Sequence, residues 1–323
     1  MNAALAVGGG LVVLIGGAEL LVRGASRIAA RLAIAPIVIG LTIVSLGTSA
    51  PELAIGIDAA LTGSAALAVG NIVGTNIVNL LLILGGSAAI RSIALGIQTL
   101  RTDLPVIAFA AVLLLVLARD GQLSTLDGTI LILFGFGYTA AIVRLGRHEP
   151  ATVQAEFDHE FAPPPEEKSA ARLVRDFALL VGGLAIVVVG AEVLVGGAVD
   201  LARAFGVSEA VIGLTIIAIG TSAPELVTTL ISTVRGDRDV ALGNLLGSSV
   251  YNIALILGIT ALVAPGGIEV PPEVLRVDLP VMTAVALACV PVFVTGRKVS
   301  RFEGAVFVGC YALYLTYLLI ART

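Results

Sequence analysis

The chain has 323 residues, of which 58% are hydrophobic and only 13% are charged, and its formal net charge is −4. A soluble domain carries roughly 25% charged residues, so this composition excludes a soluble globular protein. The sequence has no run of basic residues of the kind that would indicate nucleic-acid binding. The apolar residues lie in long blocks that approach the ~20 residues needed to cross a bilayer, and we therefore predict a polytopic, all-α membrane protein.

Ten apolar segments follow one another along the chain, and each is predicted to be a membrane helix. They cover about 3–25, 36–62, 65–90, 103–118, 127–145, 172–200, 209–232, 239–264, 278–295 and 301–321. The first is expected to be a span and not a cleaved signal peptide, because Met1 to Gly10 has no basic region. Both cysteines, Cys289 and Cys310, fall inside apolar segments, so no disulfide framework is expected.

One polar stretch separates the fifth segment from the sixth. It contains Pro163-Pro164-Pro165 and Glu166-Glu167, a composition typical of a flexible linker and not of a folded domain. We therefore predict a five-helix repeat over 1–145, a linker over 146–171 and a second five-helix repeat over 172–323.

The two halves repeat each other in sequence. Gly47-Thr48-Ser49-Ala50-Pro51-Glu52 returns as Gly220-Thr221-Ser222-Ala223-Pro224-Glu225, at an offset of 173 residues. The same offset relates Gly17-Ala18-Glu19 to Gly190-Ala191-Glu192, Gly70-Asn71 to Gly243-Asn244, and Asn79 to Asn252. Because five is an odd number of segments, the second half enters the membrane from the opposite face, which is the inverted repeat of many secondary transporters.

The 19 basic residues predict the orientation. If the N-terminus lies outside, 15 of them fall in inner loops, and only Arg119, Arg203, Arg276 and Arg322 fall outside. The positive-inside rule therefore predicts that both termini are outside and that the linker is cytoplasmic, in a prokaryotic cell (inner) membrane.

The repeated motif is expected to break its helix. A proline removes one backbone donor and clashes with the carbonyl four residues back, which here belongs to Gly47 or Gly220. Freed carbonyl groups are costly in lipid, so such a break must line a cavity or be covered by protein. A cavity of this kind offers carbonyl oxygens to a cation.

Helical spacing places further polar side chains on single faces. The first copy gives two stripes, which are Ser45, Thr48, Ser49 and Glu52 on the second segment and Asn71, Thr75 and Asn79 on the third. The second copy gives Ala218, Thr221, Ser222 and Glu225 and then Asn244, Ser248 and Asn252. All of the polar side chains are oxygen donors or amides, which suit Na⁺ and Ca²⁺ better than Zn²⁺ or Cu⁺.

Two carboxylates in one cavity would repel each other without a counter-charge. One Ca²⁺, two Na⁺ or protons would neutralise Glu52 and Glu225, and ions that share such a pair must displace each other. A lone Glu at a helix end could be a packing residue, but duplicated acids in Pro-broken spans favour a functional site.

At these residues the chain resembles the cation/calcium exchanger superfamily, and most closely its prokaryotic sodium/calcium exchangers. The resemblance rests on Gly47–Glu52 with Gly70–Asn79 and on Gly220–Glu225 with Gly243–Asn252, which match the two alpha-repeats of that family. It implies ten helices in inverted halves, alternating access, and exchange of Na⁺ for Ca²⁺ in the lipid bilayer without a cofactor or a required protein partner.

The resemblance also implies ligand roles. Glu52 and Glu225 would be the central calcium ligands, bridged by sodium in the other loading state. The remaining ligands would be carbonyls of Thr48, Thr221, Ser45 and Ala218, hydroxyls of Ser49, Ser222, Thr75 and Ser248, and the flanking amides Asn79 and Asn252. Relatives often carry an acid at one of the two Asn positions, so two carboxylates instead of three weaken the expectation of K⁺ co-transport.

Three other functions compete with a Na⁺/Ca²⁺ antiporter. A H⁺/Ca²⁺ antiporter of the same superfamily is the main alternative, although the neutral hydroxyl stripes favour sodium. A passive cation channel is disfavoured by the inverted repeat around one charged cavity. An intramembrane enzyme is not expected, because no His lies in any span to activate a serine.

Overall fold

The structure, a computed structural model, describes residues 3–32, 36–96, 99–145, 170–206, 216, 218–294 and 296–321. Its α-helices up to residue 145 are α1 Ala3–Leu32, α2 Pro36–Ile39, α3 Ser45–Thr48, α4 Ala50–Leu61, α5 Ala66–Ile77, α6 Leu84–Ile90, α7 Leu104–Leu117 and α8 Thr125–Leu145. After residue 169 they are α9 Ala170–Ala204, α10 Ala218–Thr221, α11 Ala223–Arg235, α12 Arg238–Tyr251, α13 Leu257–Val263, α14 Leu279–Val294 and α15 Arg301–Ala321. A single 3₁₀ turn, Ala118–Asp120, follows α7.

The chain is an all-helical multi-pass membrane protein. Within the described ranges, eight helical stretches are long and apolar enough to cross a membrane, and the bent pair 37–61 makes a ninth. Most of the predicted segment 209–232 is covered by α10 and α11, but 209–215 and 217 lie outside the described residues. Residues 146–169 of the predicted linker 146–171 also lie outside the described residues. Helix α9 begins at Ala170, two residues before the predicted start of the sixth segment.

The first helix runs seven residues beyond the predicted end of its segment, because its basic residues have partners. Arg23 pairs with Glu19 one turn back, and Arg31 pairs with the buried Asp176 of α9. A helix can therefore continue past its apolar run when each charge is compensated.

The predicted break at the duplicated proline is confirmed in the first copy. The helix ends at Thr48 and begins again at Ala50, with Pro51 in its first turn and a bend of 43° between the two parts. In the second copy α10 ends at Thr221 and α11 begins at Ala223, with Pro224 in its first turn. Ser49 and Ser222 therefore occupy equivalent positions between two helices.

In the described part of the chain, five complete stretches of π-helix interrupt or precede the α-helices. They are Gly40–Val44, Val78–Ile83, Thr99–Asp103, Asn252–Ile256 and Val274–Asp278. Such wide turns are uncommon and often occur at functional sites, because they turn a side chain away from the α-helical register. Asn79 and Asn252, related by the 173-residue offset, both lie in π-helix.

Within the described ranges, four two-residue strands form two antiparallel pairs, which the all-helical prediction did not include. β1 Ile93–Ala94 pairs with β4 Lys298–Val299, and β2 Gln122–Leu123 pairs with β3 Ile268–Glu269. Each pair joins a loop of the first half to a loop of the second.

The chain forms two compact units, and each takes elements from both sequence halves. Unit 1 comprises Met1–Thr48 and Thr139–Gly247, and unit 2 comprises Ser49–Tyr138 and Ser248–Thr323. In unit 1 the long helices α1 and α9 pack against each other, with Leu14, Leu21, Leu180 and Val187 fully buried.

Glycines at seven-residue intervals allow this close packing of α1 and α9. A Cβ added to Gly17 would lie 2.7 Å from the backbone nitrogen of Val187, and one added to Gly183 would lie 2.4 Å from that of Leu21. Gly10, Gly24, Gly190 and Gly197 make equivalent contacts. Small residues at such intervals let membrane helices approach backbone to backbone.

Candidate ion-binding site

In unit 1, the second copy of the motif places an acid in the first turn of α11. Glu225 is fully buried, and Ser222, which precedes the helix, is fully buried as well. The positive end of the helix dipole favours a carboxylate in the first turn, which helps to keep a buried charge. The predicted carbonyl donors Ala218 and Thr221 begin and end the adjoining α10.

The other polar residues of unit 1 form a hydrogen-bonded network around Asn244. The Thr48 hydroxyl donates to Asn244 Oδ1 over 3.0 Å, and Asn244 Nδ2 donates to Thr229 Oγ1 over 3.2 Å. The Ser45 hydroxyl lies 2.6 Å from the Gly40 carbonyl oxygen and 3.0 Å from that of Asn244. Asn244 therefore joins α12 to α3 and α11, and it fixes Thr48 in place.

In unit 2, the first copy of the motif repeats this arrangement at the start of α4. Glu52 lies in the first turn and is 1% exposed, and Ser49 precedes the helix with the same exposure. Ser-x-x-Glu is the pattern of a capping box, in which the serine side chain bonds a backbone N–H of the first turn. Neither Ser49 nor Ser222 makes this capping bond.

Unit 2 also contains the remaining predicted ligands. Thr75 on α5 and Ser248 on α12 are buried, and so are Asn79 and Asn252. Asn76, next to Thr75, donates to the Ser249 carbonyl over 3.2 Å and accepts from Asn252 Nδ2 over 3.5 Å. Asn76 thus ties the third predicted segment to the eighth.

Hydrogen bonding divides these buried polar groups into two classes. Asn76 and Asn244 use their amides to join helices, whereas several predicted ligands keep polar atoms without a hydrogen-bond partner in the described part of the chain. These atoms are Thr75 Oγ1, Asn79 Oδ1 and Nδ2, Ser222 Oγ and Asn252 Oδ1. Leaving a buried polar atom unsatisfied costs about 1–3 kcal/mol, so such atoms in a native fold are candidates for ligand binding.

The buried polar groups of the duplicated motifs have the chemistry that hard cations prefer. Among the residues that the structure describes, no three His, Cys, Asp or Glu side chains come together as a metal cluster. Each unit instead has one carboxylate of the duplicated motif, together with buried hydroxyls and amides, and such groups would suit Na⁺ and Ca²⁺.

Two bridging roles in this network were not predicted from the sequence. Asn76 lies outside the predicted stripe of Asn71, Thr75 and Asn79, and Asn244 was placed on a stripe without a bridging role. Asn76 and Ser249 are related by the 173-residue offset, and this was the feature of the sequence that could have indicated their contact.

Known proteins of one family resemble this chain over most of its length. The family profile described as sodium/calcium exchanger protein matches residues 2–144 and 176–320, which is most of the chain. The chain belongs to the sodium/calcium exchanger family. Proteins of this family are transporters, so the membrane helices and oxygen donors described above belong to an antiporter of the Na⁺/Ca²⁺ exchanger superfamily.

Individual members of the exchanger family match over nearly the whole chain. CaxA of Alkalimonas amylolytica, a protein named as an antiporter, is 38% identical over 97% of this chain and 97% of its own. The sodium/calcium exchanger MaX1 of Methanosarcina acetivorans is 32% identical over 96% of each chain. A solved structure of the sodium-calcium exchanger NCX_Mj, soaked with 10 mM Na⁺ and zero Ca²⁺, has a TM-score of 0.84 and 29% identity, and the match covers 98% of this chain and 99% of that one.

Proposed function

We propose that the chain exchanges Na⁺ for Ca²⁺ by alternating access, and that Glu52 and Glu225 are the carboxylates that the competing ions share. The observation that carries the proposal is the buried acid in the first turn of α4 and again of α11, each after a proline-broken helix and a serine that does not cap it. A buried acid that is repeated in this way is a functional site by default in a membrane protein.

Charge balance explains why the two ions exclude each other. Two carboxylates carry −2, which one Ca²⁺ or two Na⁺ can neutralise, so both loads cannot be held at once. Carbonyls of Ser45, Thr48, Ala218 and Thr221 and hydroxyls of Ser49, Ser222, Thr75 and Ser248 would complete the coordination, with Asn79 and Asn252 beside the middle position. Calcium takes about 6–8 oxygen ligands in a flexible shell, which a set of this size can supply.

Sodium is favoured over protons as the coupling ion by the neutral oxygens. A proton needs only a carboxylate, whereas Na⁺ needs several neutral donors as well, and Thr75 and Ser222 keep hydroxyls without partners in the described residues. The name of MaX1 gives sodium and calcium as its ions, and the name of CaxA gives no coupling ion.

The repeat supports the wider architecture that we propose. Ten helices in two inverted five-helix halves would lie in a prokaryotic cell (inner) membrane, with both termini outside and residues 146–171 in the cytoplasm. The glycine-lined contact of α1 with α9 supports their movement as one body when access switches.

Flux measurements in proteoliposomes test the proposed exchange. We expect vesicles loaded with Na⁺ to take up ⁴⁵Ca²⁺ when diluted into Na⁺-free medium, and vesicles with only a K⁺ gradient to take up none. Uptake that ignores Na⁺ and follows an imposed pH gradient would instead establish a H⁺/Ca²⁺ antiporter. Uptake that needs no counter-ion gradient and does not saturate would indicate a channel.

A further inference from the structure

The helix that carries Glu225 has a second polar feature beyond the motif. Thr228, Thr229, Ser232 and Thr233 follow Glu225 at spacings of three, four, seven and eight residues, which places them on the same face of α11. Three of them have no exposed surface, and Thr233 is 4% exposed. The opposite face, with Ala223, Val227 and Ile231, packs against the apolar core of α1 and α9.

The hydroxyls of this face do not use the partner that helical threonines ordinarily use. A Ser or Thr within a helix commonly donates to the carbonyl one turn back. Among the described residues, the threonines that donate to the carbonyl four residues back include Thr42, Thr62, Thr129, Thr260, Thr283 and Thr316. In the part of the chain that the structure describes, the hydroxyls of Thr228, Ser232 and Thr233 have no partner at all.

The helix does not require these hydroxyls to form, because the equivalent helix of the first repeat lacks them. The positions 173 residues earlier, on α4, are Ile55, Gly56, Ala59 and Ala60, none of which has a polar side chain. The inverted copy of the helix therefore forms without a polar face. The four buried hydroxyls are a property of the second repeat alone, and the formation of the helix does not account for them.

One of the four hydroxyls has a structural role, and the other three remain available to bind a ligand. Thr229 accepts the hydrogen bond from Asn244 Nδ2, which fixes α12 against α11. We call Thr228, Ser232 and Thr233 the hydroxyl face. It extends for about two turns from Glu225 towards Arg235, whose guanidinium contacts the Glu19 carboxylate. That contact offsets the positive charge at the far end of α11.

We propose that the hydroxyl face is a further binding site for a small monovalent cation, on the path that Na⁺ takes between Glu225 and the Arg235 end of α11. The proposal rests on the proposed function, and it adds a site that the duplicated motifs do not include. Three neutral oxygens can replace part of the hydration shell of Na⁺. The face contains no carboxylate, so it lacks the charge that Ca²⁺ sites normally have.

A triple variant that preserves side-chain shape tests the site. T228V/S232A/T233V removes three oxygens and leaves Glu225 and Asn244 in place. We expect the Na⁺ concentration that gives half-maximal Na⁺-driven ⁴⁵Ca²⁺ uptake to rise about fivefold or more, the size expected when one good polar contact is lost. Exchange of Ca²⁺ for Ca²⁺, measured without Na⁺, should stay near the wild-type rate.

The control variant T129V/T283V/T316V removes three hydroxyls that bond carbonyls elsewhere, and it should leave the Na⁺ dependence unchanged. An equilibrium measurement accompanies the flux assay. In detergent, Na⁺ should raise the Tm of the triple variant less than that of the wild type, while Ca²⁺ raises both equally, because at a given concentration a ligand stabilises the folded state more when its Kd is lower. The single variant S232A should change both quantities in the same direction if the triple variant folds poorly.

Three outcomes separate the proposals. An unchanged half-saturating Na⁺ concentration in the triple variant overturns the hydroxyl-face site, and so does an equal fall in Na⁺-driven and Ca²⁺-for-Ca²⁺ exchange. Wild-type protein that shows no Na⁺-driven uptake overturns the proposed function itself, before any variant is compared.

Discussion

Buried side chains that carry oxygen atoms are the residues on which the proposed function depends. Among the described residues, the side-chain amides of Asn76 and Asn244 form hydrogen bonds that join helices, whereas both amide atoms of Asn79 have no hydrogen-bond partner. The same residue type therefore serves two purposes, and burial alone does not distinguish them. The hydrogen-bond pattern does distinguish them, and Asn79 and Asn252 are among the predicted ligands that keep an amide oxygen without a partner in the described part of the chain.

Neutralising either acid should abolish Ca²⁺ transport. Gln has the shape of Glu but not its charge, so E52Q and E225Q each leave a single carboxylate that cannot balance Ca²⁺. We expect ⁴⁵Ca²⁺ uptake at background level in both variants, with gel-filtration profiles like that of the wild type. E303Q is a suitable control, because Glu303 bonds Ser300 at the start of α15 and not a predicted ligand. Transport that persists in either variant would refute the paired-carboxylate account.

The helix breaks could be predicted from the sequence, because they depend on local chemistry. Pro51 and Pro224 each lack a backbone donor and lie in the first turn after a break, and Ser49 and Ser222 lie between the two helices. The bridging roles of Asn76 and Asn244 could not be predicted from the sequence, because they depend on the register between helices far apart in the chain. The unpartnered hydroxyls of α11 were missed for the same reason.

Among the elements, α1 and α9 are held together by glycines and by one buried ion pair. In unit 1 the two helices run antiparallel, and glycines of each face larger residues of the other. At one end of the pair, Arg31 with 7% of its side chain exposed contacts the fully buried Asp176. Both contacts make α1 and α9 a single rigid pair.

Enlarging one interface glycine should separate these helices. In G183A the new Cβ would lie 2.4 Å from the Leu21 nitrogen and 2.8 Å from its Cα, and backbone cannot move aside cheaply. We expect a loss of about 1–3 kcal/mol, measured as a lower Tm in detergent. The neighbouring G182A is a matched control with nothing within 4 Å of its new Cβ, and its Tm should stay level or rise. Equal Tm values for the two variants would contradict the close contact.

Removing the buried acid should cost more than removing an exposed base beside it. D176N leaves the Arg31 guanidinium buried without the Asp176 carboxylate, which typically costs about 3–5 kcal/mol. R175Q removes a partner of the same Asp176 that is 55% exposed, and pairs of that kind contribute about 0–1 kcal/mol. Thermal unfolding of the two variants compares them directly, and a smaller loss for D176N would rule out a stabilising pair.

The ends of helices were predicted correctly where an apolar run determines them. They were missed where tertiary contacts determine them. The ends of α6, α8 and α15 fall at the predicted residues, because apolar runs stop there. The extension of α1 depends on the ion pairs of Arg23 with Glu19 and of Arg31 with Asp176. Hydropathy does not indicate the first pair, and the second joins residues that are distant in sequence. The π-helical segments and two-residue strands are too short to leave a periodic signal.

At the scale of the whole molecule, sequence halves and compact units differ. Each unit combines elements of both halves, and each contains one acid of the duplicated motif, Glu225 in unit 1 and Glu52 in unit 2. Hydropathy and the 173-residue offset predicted ten spans in chain order, and the described residues contain eight of them, or nine with the bent pair. They could not predict how the elements divide into units, since that depends on contacts between helices and not on their sequence order.

The predicted orientation can be tested with single cysteines. In a background without Cys289 and Cys310, H159C in the linker should react with a membrane-impermeant maleimide only in inside-out vesicles. Q122C, exposed in the loop before α8, should react only in right-side-out vesicles. The expectation rests on the 15 basic residues assigned to inner loops. The reverse labelling pattern would overturn the orientation without affecting the ion site.

Coupled movement of the two ions tests the central claim most directly. Proteoliposomes loaded with ²²Na⁺ should release it when Ca²⁺ is added outside, with a rate that saturates in Ca²⁺ and falls to background in E225Q. The account predicts that ²²Na⁺ exit and ⁴⁵Ca²⁺ entry, followed in the same vesicles, rise together over the same range of Ca²⁺ concentration. Sodium exit that is indifferent to external Ca²⁺, alongside normal ⁴⁵Ca²⁺ entry, would contradict it.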